Sequence, residues 1–460
     1  MSSAMGKRKT DMLNGSIWTN VLFYALPIAA TGILGQLFNA SDIAVVGNFS
    51  GPLGKASVAA VGSNSPIVGL IVNLFINIAL GTNVIIANAI GRGENDTVRK
   101  AVHTSIVASV IGGLGTTVIG ELISESLLKA LHVPDEVFDL SLQYLRIYFL
   151  GMPVILLYNF EAAIFRSEGD TKTPLIVLAI SGVLKVVLNL FFVIVFNMAV
   201  MGVAVATVIS NAFSAVILFR MLMKTDKCIK VELKELKIDP ACLKHILAIG
   251  LPAGCQSAFF SISNIVIQSA INSLGTVVMA ASGAALNLEI LAYDVLNSFS
   301  QACTTFVGQN YGAGNLKRCK KTLHICLIED LIASAVTIVT VLFAGKFLLS
   351  LFNNDPEVIR IGYTRLVIIF SAYTFSMLYE VMTGYLRGFG ISFVPAVLVM
   401  VGVCVIRIIW IQTVFPLSKT FETIMTAYPV SLATTAVLIF IAVLAYHPVR
   451  RFSAKETISK

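Results

Sequence analysis

The sequence predicts an all-α polytopic membrane protein with twelve transmembrane helices, arranged as two six-helix lobes related by a pseudo-twofold axis. Three observations predict this fold: an apolar composition, an internal repeat, and basic residues that recur at every second loop. Hydrophobic residues make up 57% of the 460 positions and charged residues 13%, whereas soluble domains average about 25% charged residues. Twelve apolar stretches are each long enough to cross a hydrocarbon core roughly 30 Å thick. One large soluble helical core would need a polar surface that this chain lacks.

An internal repeat relates the two halves of the chain. The segment Ala89–His103 (AIGRGENDTVRKAVH) aligns with Asn310–His324 (NYGAGNLKRCKKTLH). The residues that match at this constant offset include Gly91 with Gly312, Gly93 with Gly314, His103 with His324, Arg166 with Arg387, Gly169 with Gly390, and Pro174 with Pro395. A slightly longer offset pairs Pro27 with Pro252. A duplicated half in so apolar a chain indicates a membrane transporter with a rocking motion of two lobes.

Basic residues are concentrated at one side of the predicted spans. Most of them precede the first span or follow an even-numbered one, whereas the alternate loops hold few. This positive-inside bias predicts that both termini are cytoplasmic and that the chain is a multi-pass protein of the bacterial cytoplasmic (inner) membrane. The net charge of +8 is explained by this placement, so we expect no nucleic-acid partner.

The predicted organisation follows from the order of the spans. Residues 1–15 form a polar cytoplasmic arm without the apolar core of a signal peptide, and residues 16–223 form the first lobe. Residues 224–240 form a charged cytoplasmic linker whose Lys/Glu spacing predicts a short amphipathic surface helix. Residues 241–446 form the second lobe, and residues 447–460 form a basic cytoplasmic tail.

The first span contains a single charged side chain, Asp42, within residues 16–49. A carboxylate inside a bilayer is costly and indicates a function by default, and burial would favour uptake of a proton from outside. The alternative is an aspartate at the outer interface that faces water, because Gly47 and Asn48 already resemble a helix end. The aligned stretch of span seven has no carboxylate, so ion coupling is expected in the first lobe.

Several motifs together carry a resemblance to a known family. They are the Leu-Pro pair early in spans one and seven, FRSEGDTKTP after span four, and GQNYGAGN after span eight. With twelve spans in two halves, the chain resembles the bacterial MATE (multidrug and toxic compound extrusion) transporters. The resemblance implies export of amphiphilic or cationic organic molecules against an inward flow of protons or sodium ions. It also implies that Asp42 stands where family members carry an ion-coupling aspartate.

Span five departs from the family pattern. The resemblance places a coupling asparagine at Lys185, an aspartate at Asn189 and a threonine at Thr207. Lys185 and Asn189 lie four residues apart and therefore share one helix face. A positive charge beside Asp42 disfavours sodium, so we expect proton coupling, in which protonation of Asp42 frees Lys185 and the first helix bends at a hinge at Pro27. The alternative for Lys185 is a side chain that extends to the membrane interface.

The second lobe contains further intramembrane charges, among them Glu329 and Asp330 in span nine. Arg407 approximately mirrors Lys185 in the repeat, and an ion pair of Arg407 with Glu380 or Glu289 would neutralise two buried charges. A structural pairing and a substrate role both remain open. If the substrate is a cation, the two glutamates are its best anionic contacts. The residues predicted to line the substrate cavity are Asn39, Tyr158, Gln256, Glu289, Tyr293, Asp294, Glu380 and Arg407.

The cytoplasmic ends of the spans predict a gate. Glu161 and Arg166 after span four, together with Arg387 after span ten, are expected to close the outward-open state. The repeated glycines near positions 93 and 314 are expected to end long helices and to allow the chain to turn.

Other functional classes have little support. The HExxH, GxSxG and P-loop motifs are all absent, so we expect neither an enzyme, a cofactor nor a metal site. The seven cysteines have no CxxC pairing and are expected to be free thiols. The alternatives to an antiporter are a flippase for a lipid-linked sugar and, as the weakest one, a membrane-embedded lipid-modifying enzyme. The expected partners are the lipid bilayer and a small organic substrate, and the expected functional unit is a monomer.

Overall fold

The computed structural model describes residues 11–131 and 133–449, and within these ranges it is helical with no β-strand. Ten helices are long and apolar enough to cross a membrane, and two bent helix pairs raise the number to as many as twelve spans. The pairs bend by 50° between Leu150 and Met152 and by 48° between Ser371 and Tyr373. The predicted all-α fold with twelve spans is therefore confirmed.

The chain forms two compact units. The N-terminal unit comprises Ala30–Gly250, and the C-terminal unit joins Met1–Ala29 to Leu251–Lys460. Both boundaries fall inside helices, close to Pro27 and Pro252. This division differs from the lobes expected from the span order, because the start of the first helix groups with the C-terminal unit and residues 240–250 group with the N-terminal unit.

The first eight helices build the N-terminal unit. The first and the last of these in chain order, α1 and α8, continue into the other unit. Their bounds are α1 Ile17–Phe49, α2 Gly54–Arg92, α3 Asn95–Ala130, α4 Asp135–Leu150, α5 Met152–Ser167, α6 Lys172–Leu190, α7 Ala199–Lys224 and α8 Pro240–Asn272. A 3-10 turn, Gly51–Leu53, precedes α2, and a π-helical segment, Phe191–Val195, extends α6. Helices α2 and α8 pack closely at a glycine, since a Cβ atom on Gly81 would lie 2.2 Å from the Ile246 carbonyl oxygen.

The C-terminal unit contains the remaining helices. Their bounds are α9 Thr276–Gly312, α10 Leu316–Ser350, α11 Pro356–Ser371, α12 Tyr373–Gly388, α13 Phe393–Val399, α14 Ile406–Thr413, α15 Phe415–Ser418 and α16 Phe421–Tyr446. A π-helical segment, Met400–Val405, joins α13 to α14. Buried side chains of α9, α12 and α16 supply much of the apolar core of this unit.

Glycines end the long helices, as the sequence predicts. Gly93 ends α2 with φ +72°, and Gly314 follows α9 with φ +73°. Gly169 and Gly390 also have positive φ values, of +95° and +81°. Because only glycine adopts this backbone conformation at little cost, these residues are required where the chain turns. Both pairs match at the same offset in the repeat, so the two halves repeat their turns in conformation as well as in sequence.

The expected amphipathic helix in the linker is wrong. Residues 225–239 contain only a short 3-10 turn, Leu233–Glu235. Ile229 and Val231 are buried against α3 and α7, and their spacing of two residues suits an extended chain rather than a helix. Arg99 holds the segment by ion pairs with Glu232 and Glu235.

A buried histidine adds a further contact to the linker. The Nε2 atom of His103 accepts a hydrogen bond from the Glu232 backbone N–H at 3.0 Å. Asp239 then caps the start of α8, since its carboxylate accepts from the Cys242 backbone N–H at 2.9 Å. That hydrogen bond lowers the pKa of Asp239.

Candidate functional site

The central feature of the N-terminal unit is a buried carboxylate with two donors. Asp42 on α1 is 4% exposed and Lys185 on α6 is 7% exposed. The Lys185 Nζ atom lies 2.6 Å from Asp42 Oδ2, and the Asn189 amide nitrogen donates to Asp42 Oδ1 at 2.7 Å. Lys185 and Asn189 are one helical turn apart on α6, so both reach α1 from the same face. The structure thus joins three of the residues that the sequence singles out.

A close approach of α1 and α6 makes this contact possible. A Cβ atom on Gly182 would lie 1.8 Å from Phe38 Cε2, so the Phe38 ring occupies the space above the glycine. Gly182 precedes Lys185 by three residues, and Phe38 precedes Asp42 by four. The glycine and the ring therefore set the distance between the two helices one turn from the ion pair. Sequence analysis missed both residues, because neither carries charge.

The remaining predicted coupling residue does not join this cluster. Thr207 on α7 is buried, and in the described part of the chain its hydroxyl has no hydrogen-bond partner. Its backbone carbonyl accepts from Ser210 and Asn211. Sequence analysis also missed Tyr148 on α4, which is close enough to interact electrostatically with Asp42.

Helix α5 buries a second carboxylate in the N-terminal unit. Glu161 is fully buried, and neither carboxylate oxygen has a hydrogen-bond partner among the described residues. Tyr158, one turn earlier, is also buried and is close enough to interact electrostatically with Glu161 and Arg166. Asn39 on α1 is exposed. These positions neither form one cluster nor contact Asp42 through a hydrogen bond that the structure shows.

In the C-terminal unit, Glu289 forms a buried ion pair with Arg365. The Arg365 Nε and Nη2 atoms donate to the two carboxylate oxygens at 2.5 and 2.9 Å, and Nη1 donates to Ser282 Oγ. The expected partner, Arg407, was therefore wrong for Glu289. Arg365 lies within α11, and only the fold brings it to a carboxylate on a helix distant in the chain.

Arg407 pairs with no carboxylate in residues 11–131 and 133–449. Its guanidinium lies over the Tyr428 ring at 4.1 Å and near the Phe260 ring at 5.7 Å, and Nε donates to Ser431 Oγ at 2.9 Å. Glu380, the other partner considered for it, accepts from the Tyr293 hydroxyl at 3.2 Å. The expected ion pair of Arg407 is therefore wrong for both glutamates.

The other predicted residues of this unit are distributed among smaller contacts. Arg387, a predicted gate residue, is buried, and its Nη2 donates to Gln256 Oε1 at 2.7 Å. Asp294 has one buried carboxylate oxygen without a partner in the described residues. Glu329 and Asp330 on α10 are buried, and their carboxylate oxygens likewise have no such partner. Across the described ranges, no group of three or more His, Cys, Asp and Glu side chains is placed to hold a metal ion.

Comparisons with known proteins concern the chain and its fold as a whole. The family model MatE matches the chain twice, over residues 27–191 and 252–411. The probable multidrug resistance protein YoeA of Bacillus subtilis is 26% identical, with 83% of this chain and 84% of that protein covered. The probable multidrug resistance protein NorM of Thermotoga maritima is 25% identical, with 84% of this chain and 82% of that protein covered. An outward-facing multidrug resistance MATE transporter of the MOP superfamily shares the fold, with a TM-score of 0.88, 20% identity, and 97% and 99% of the two chains covered.

Proposed function

The chain belongs to the MatE family, and on that premise we propose that it is a proton-coupled antiporter that exports amphiphilic organic molecules by alternating access. The observation that carries the proposal is the buried contact of Asp42 with Lys185 and Asn189. The relatives named multidrug resistance proteins support the direction and the broad substrate class. We place the protein, as a functional monomer, in the bacterial cytoplasmic membrane with both termini inside the cell.

The donors around Asp42 favour a proton over sodium as the coupling ion. A bound cation needs several oxygen ligands, but the two side chains that contact Asp42 present an ammonium and an amide N–H₂. The ammonium also repels a second positive ion. A proton requires only the carboxylate itself, and it would replace Lys185 as the group that neutralises Asp42.

The energy of the ion pair is large enough to act as a switch. An ammonium and a carboxylate about 4 Å apart attract by roughly 4 kcal/mol at an effective dielectric constant near 20. Protonation of Asp42 removes this attraction, so Lys185 no longer binds α1 through an ion pair. In the proposed cycle α1 then bends at Pro27, close to the boundary between the compact units.

The test is transport by purified protein in proteoliposomes with imposed proton or sodium gradients. Asp42→Asn is expected to retain substrate binding and to lose gradient-driven transport, because its amide takes up no proton. Wild-type transport is expected to follow the proton gradient alone. Proton-driven export by Asp42→Asn, or a strict need for sodium in the wild type, would refute the proposal.

Two other substrate assignments have weaker support. An organic cation would need an available carboxylate, but Glu289 is already bound to Arg365, which leaves Glu380 as the remaining candidate from the sequence. A flippase for a lipid-linked sugar would need clustered cations for a diphosphate. Arg365 and Arg407 both approach the Tyr428 ring, but only Arg407 has no acidic partner in the described part of the chain.

A further inference from the structure

Arg407 is a buried charge that the rest of the described chain does not neutralise. It is 2% exposed and lies within the apolar span Phe393–Thr413. Its Nη1 atom has no hydrogen-bond partner in residues 11–131 and 133–449. An arginine side chain keeps its proton in proteins, so this position carries a permanent positive charge. The faces of Tyr428 and Phe260 offset only part of the cost of burying it.

The internal repeat shows that the missing carboxylate is specific to this half. The constant offset that pairs Pro174 with Pro395 places Lys185 on Ile406, directly before Arg407, and the offset that pairs Pro27 with Pro252 places Asp42 on Ile267. At these positions the first half has both a cation and a carboxylate, whereas the second half has a cation one residue away and an isoleucine in place of the carboxylate. Arg365, the other buried arginine near Tyr428, has its own carboxylate in Glu289. Arg407 is thus an exception to the pairing of Lys185 and Arg365.

The surroundings of Arg407 are built around its guanidinium. Gly402 in the preceding π segment packs against α16, where a Cβ atom would lie 2.3 Å from Thr435 Oγ1. This close contact brings Tyr428 and Ser431, on the same face of α16, to Arg407. Ser431 donates its own hydroxyl hydrogen to the Tyr428 carbonyl at 2.9 Å, so its oxygen is oriented to accept from Arg407.

We propose that Arg407, Ser431 and the rings of Tyr428 and Phe260 bind the anionic group of an aromatic amphiphile, and that this anion is the substrate class of the exporter. The inference rests on the proposed transport function. The guanidinium has an unused donor for a carboxylate, sulfonate or phosphate oxygen. Phe260 is 39% exposed and offers apolar surface beside the charge for the aromatic body of the ligand.

The test uses two probes with the same scaffold, 1-anilinonaphthalene-8-sulfonate and uncharged N-phenyl-1-naphthylamine. Ser431→Asp places a carboxylate beside Arg407, whereas Ser431→Asn has the same shape without the charge. Ser431→Asp and Arg407→Gln are expected to weaken calorimetric binding of the sulfonate about tenfold or more. Ser431→Asn adds no charge and is therefore expected to weaken it clearly less than Ser431→Asp does, and binding of the uncharged probe is expected to change little in any variant.

The outcomes separate this inference from the proposed function. Equal effects of Ser431→Asp and Ser431→Asn, or sulfonate binding unchanged by Arg407→Gln, would overturn the anion site. Arg407-dependent binding without gradient-driven transport of any probe would support the site and refute the exporter. A competition experiment with phosphatidylglycerol tests whether the bound anion is a lipid phosphate instead of a transported substrate. If phosphatidylglycerol displaces the sulfonate from the wild type, the site belongs to lipid and the substrate assignment is overturned.

Discussion

At the scale of single residues, the buried charges of this protein differ in how they are neutralised. Asp42 is bound by an ammonium and an amide, and Glu289 is bound by a guanidinium in a two-point contact. Arg407 has aromatic faces and a hydroxyl instead of an acid. Because an unpaired buried charge costs several kcal/mol, each of these arrangements can be tested by removing one partner.

Removing the ammonium should change the pH dependence of transport. In Lys185→Ala, Asp42 is buried without its counter-ion, so we expect it to stay protonated at neutral pH. The pH optimum of proton-driven transport in proteoliposomes should therefore move to higher pH, and sodium should not restore activity at neutral pH. Lys55→Ala, which alters an exposed lysine, serves as the control. An unshifted profile for Lys185→Ala would exclude the ion pair from the coupling step.

Removing Arg365 should destabilise the fold rather than alter coupling. Arg365→Met leaves Glu289 buried and unpaired, which is expected to cost about 3–5 kcal/mol of stability, seen as a lower Tm in detergent. The double variant with Glu289→Leu should recover most of the loss. Arg360→Met on the same helix removes an exposed ion pair with Glu357 and should leave the Tm unchanged. A Tm loss that the double variant does not recover would contradict this account.

At the scale of elements, glycines determine how closely helices approach. Gly182 admits the Phe38 ring between α6 and α1, and Gly402 admits Thr435 between the π segment and α16. Each glycine lies within five residues of a buried cation, Lys185 or Arg407. Packing of two helices at a glycine thus positions the charged group on the next turn.

Adding one methyl group at Gly182 should separate the coupling pair. In Gly182→Ala the new Cβ atom overlaps the Phe38 ring, so we expect the ring and α1 to move away from α6 and the Lys185–Asp42 distance to lengthen. We expect proton-driven transport to fall severalfold with substrate binding kept. Gly35→Ala on α1 is the matched control, since nothing lies within 4 Å of the position that its Cβ atom would take. Equal activity of the two variants would exclude Gly182 from positioning the pair.

At the scale of the whole molecule, the two halves share turns and differ in chemistry. The glycines with positive φ recur at the offset of the sequence repeat, and the family model matches each half separately. The first half pairs Asp42 with Lys185, whereas in the second half Ile267 stands at the position that aligns with Asp42 and Arg407 has no carboxylate partner in the described residues. From this difference we propose that the first half couples transport to protons and that the second half binds the anionic group of the substrate.

The predicted orientation of the chain in the membrane can be measured by cysteine labelling. In a background without native cysteines, Lys55→Cys should react with a membrane-impermeant maleimide in intact cells, because the start of α2 is expected to lie outside. Lys234→Cys in the linker should react only after the membrane is permeabilised, because basic segments face the cytoplasm. Labelling of Lys234→Cys in intact cells would reverse the proposed topology.

The sequence by itself determined the properties that depend on composition and local order. Apolar stretches long enough to cross a bilayer predict the number of spans, and the glycines of the repeat predict the helix ends, since only glycine adopts their backbone conformation cheaply. The isolated charges at Asp42 and Lys185 were also recognisable, because charge within an apolar span is conspicuous.

Only the tertiary structure decided which of these groups meet. Glu289 and Arg365 lie on helices that are distant in the chain, and no periodicity links them, so the expected pairing with Arg407 was wrong. The extended conformation of the linker was not predicted, because contacts with Arg99 and His103 on α3 determine it. The closeness of Asp42 and Lys185 depends on the space above Gly182, which is a property of two packed helices. Contacts between distant segments follow from packing, and a single sequence records packing only indirectly.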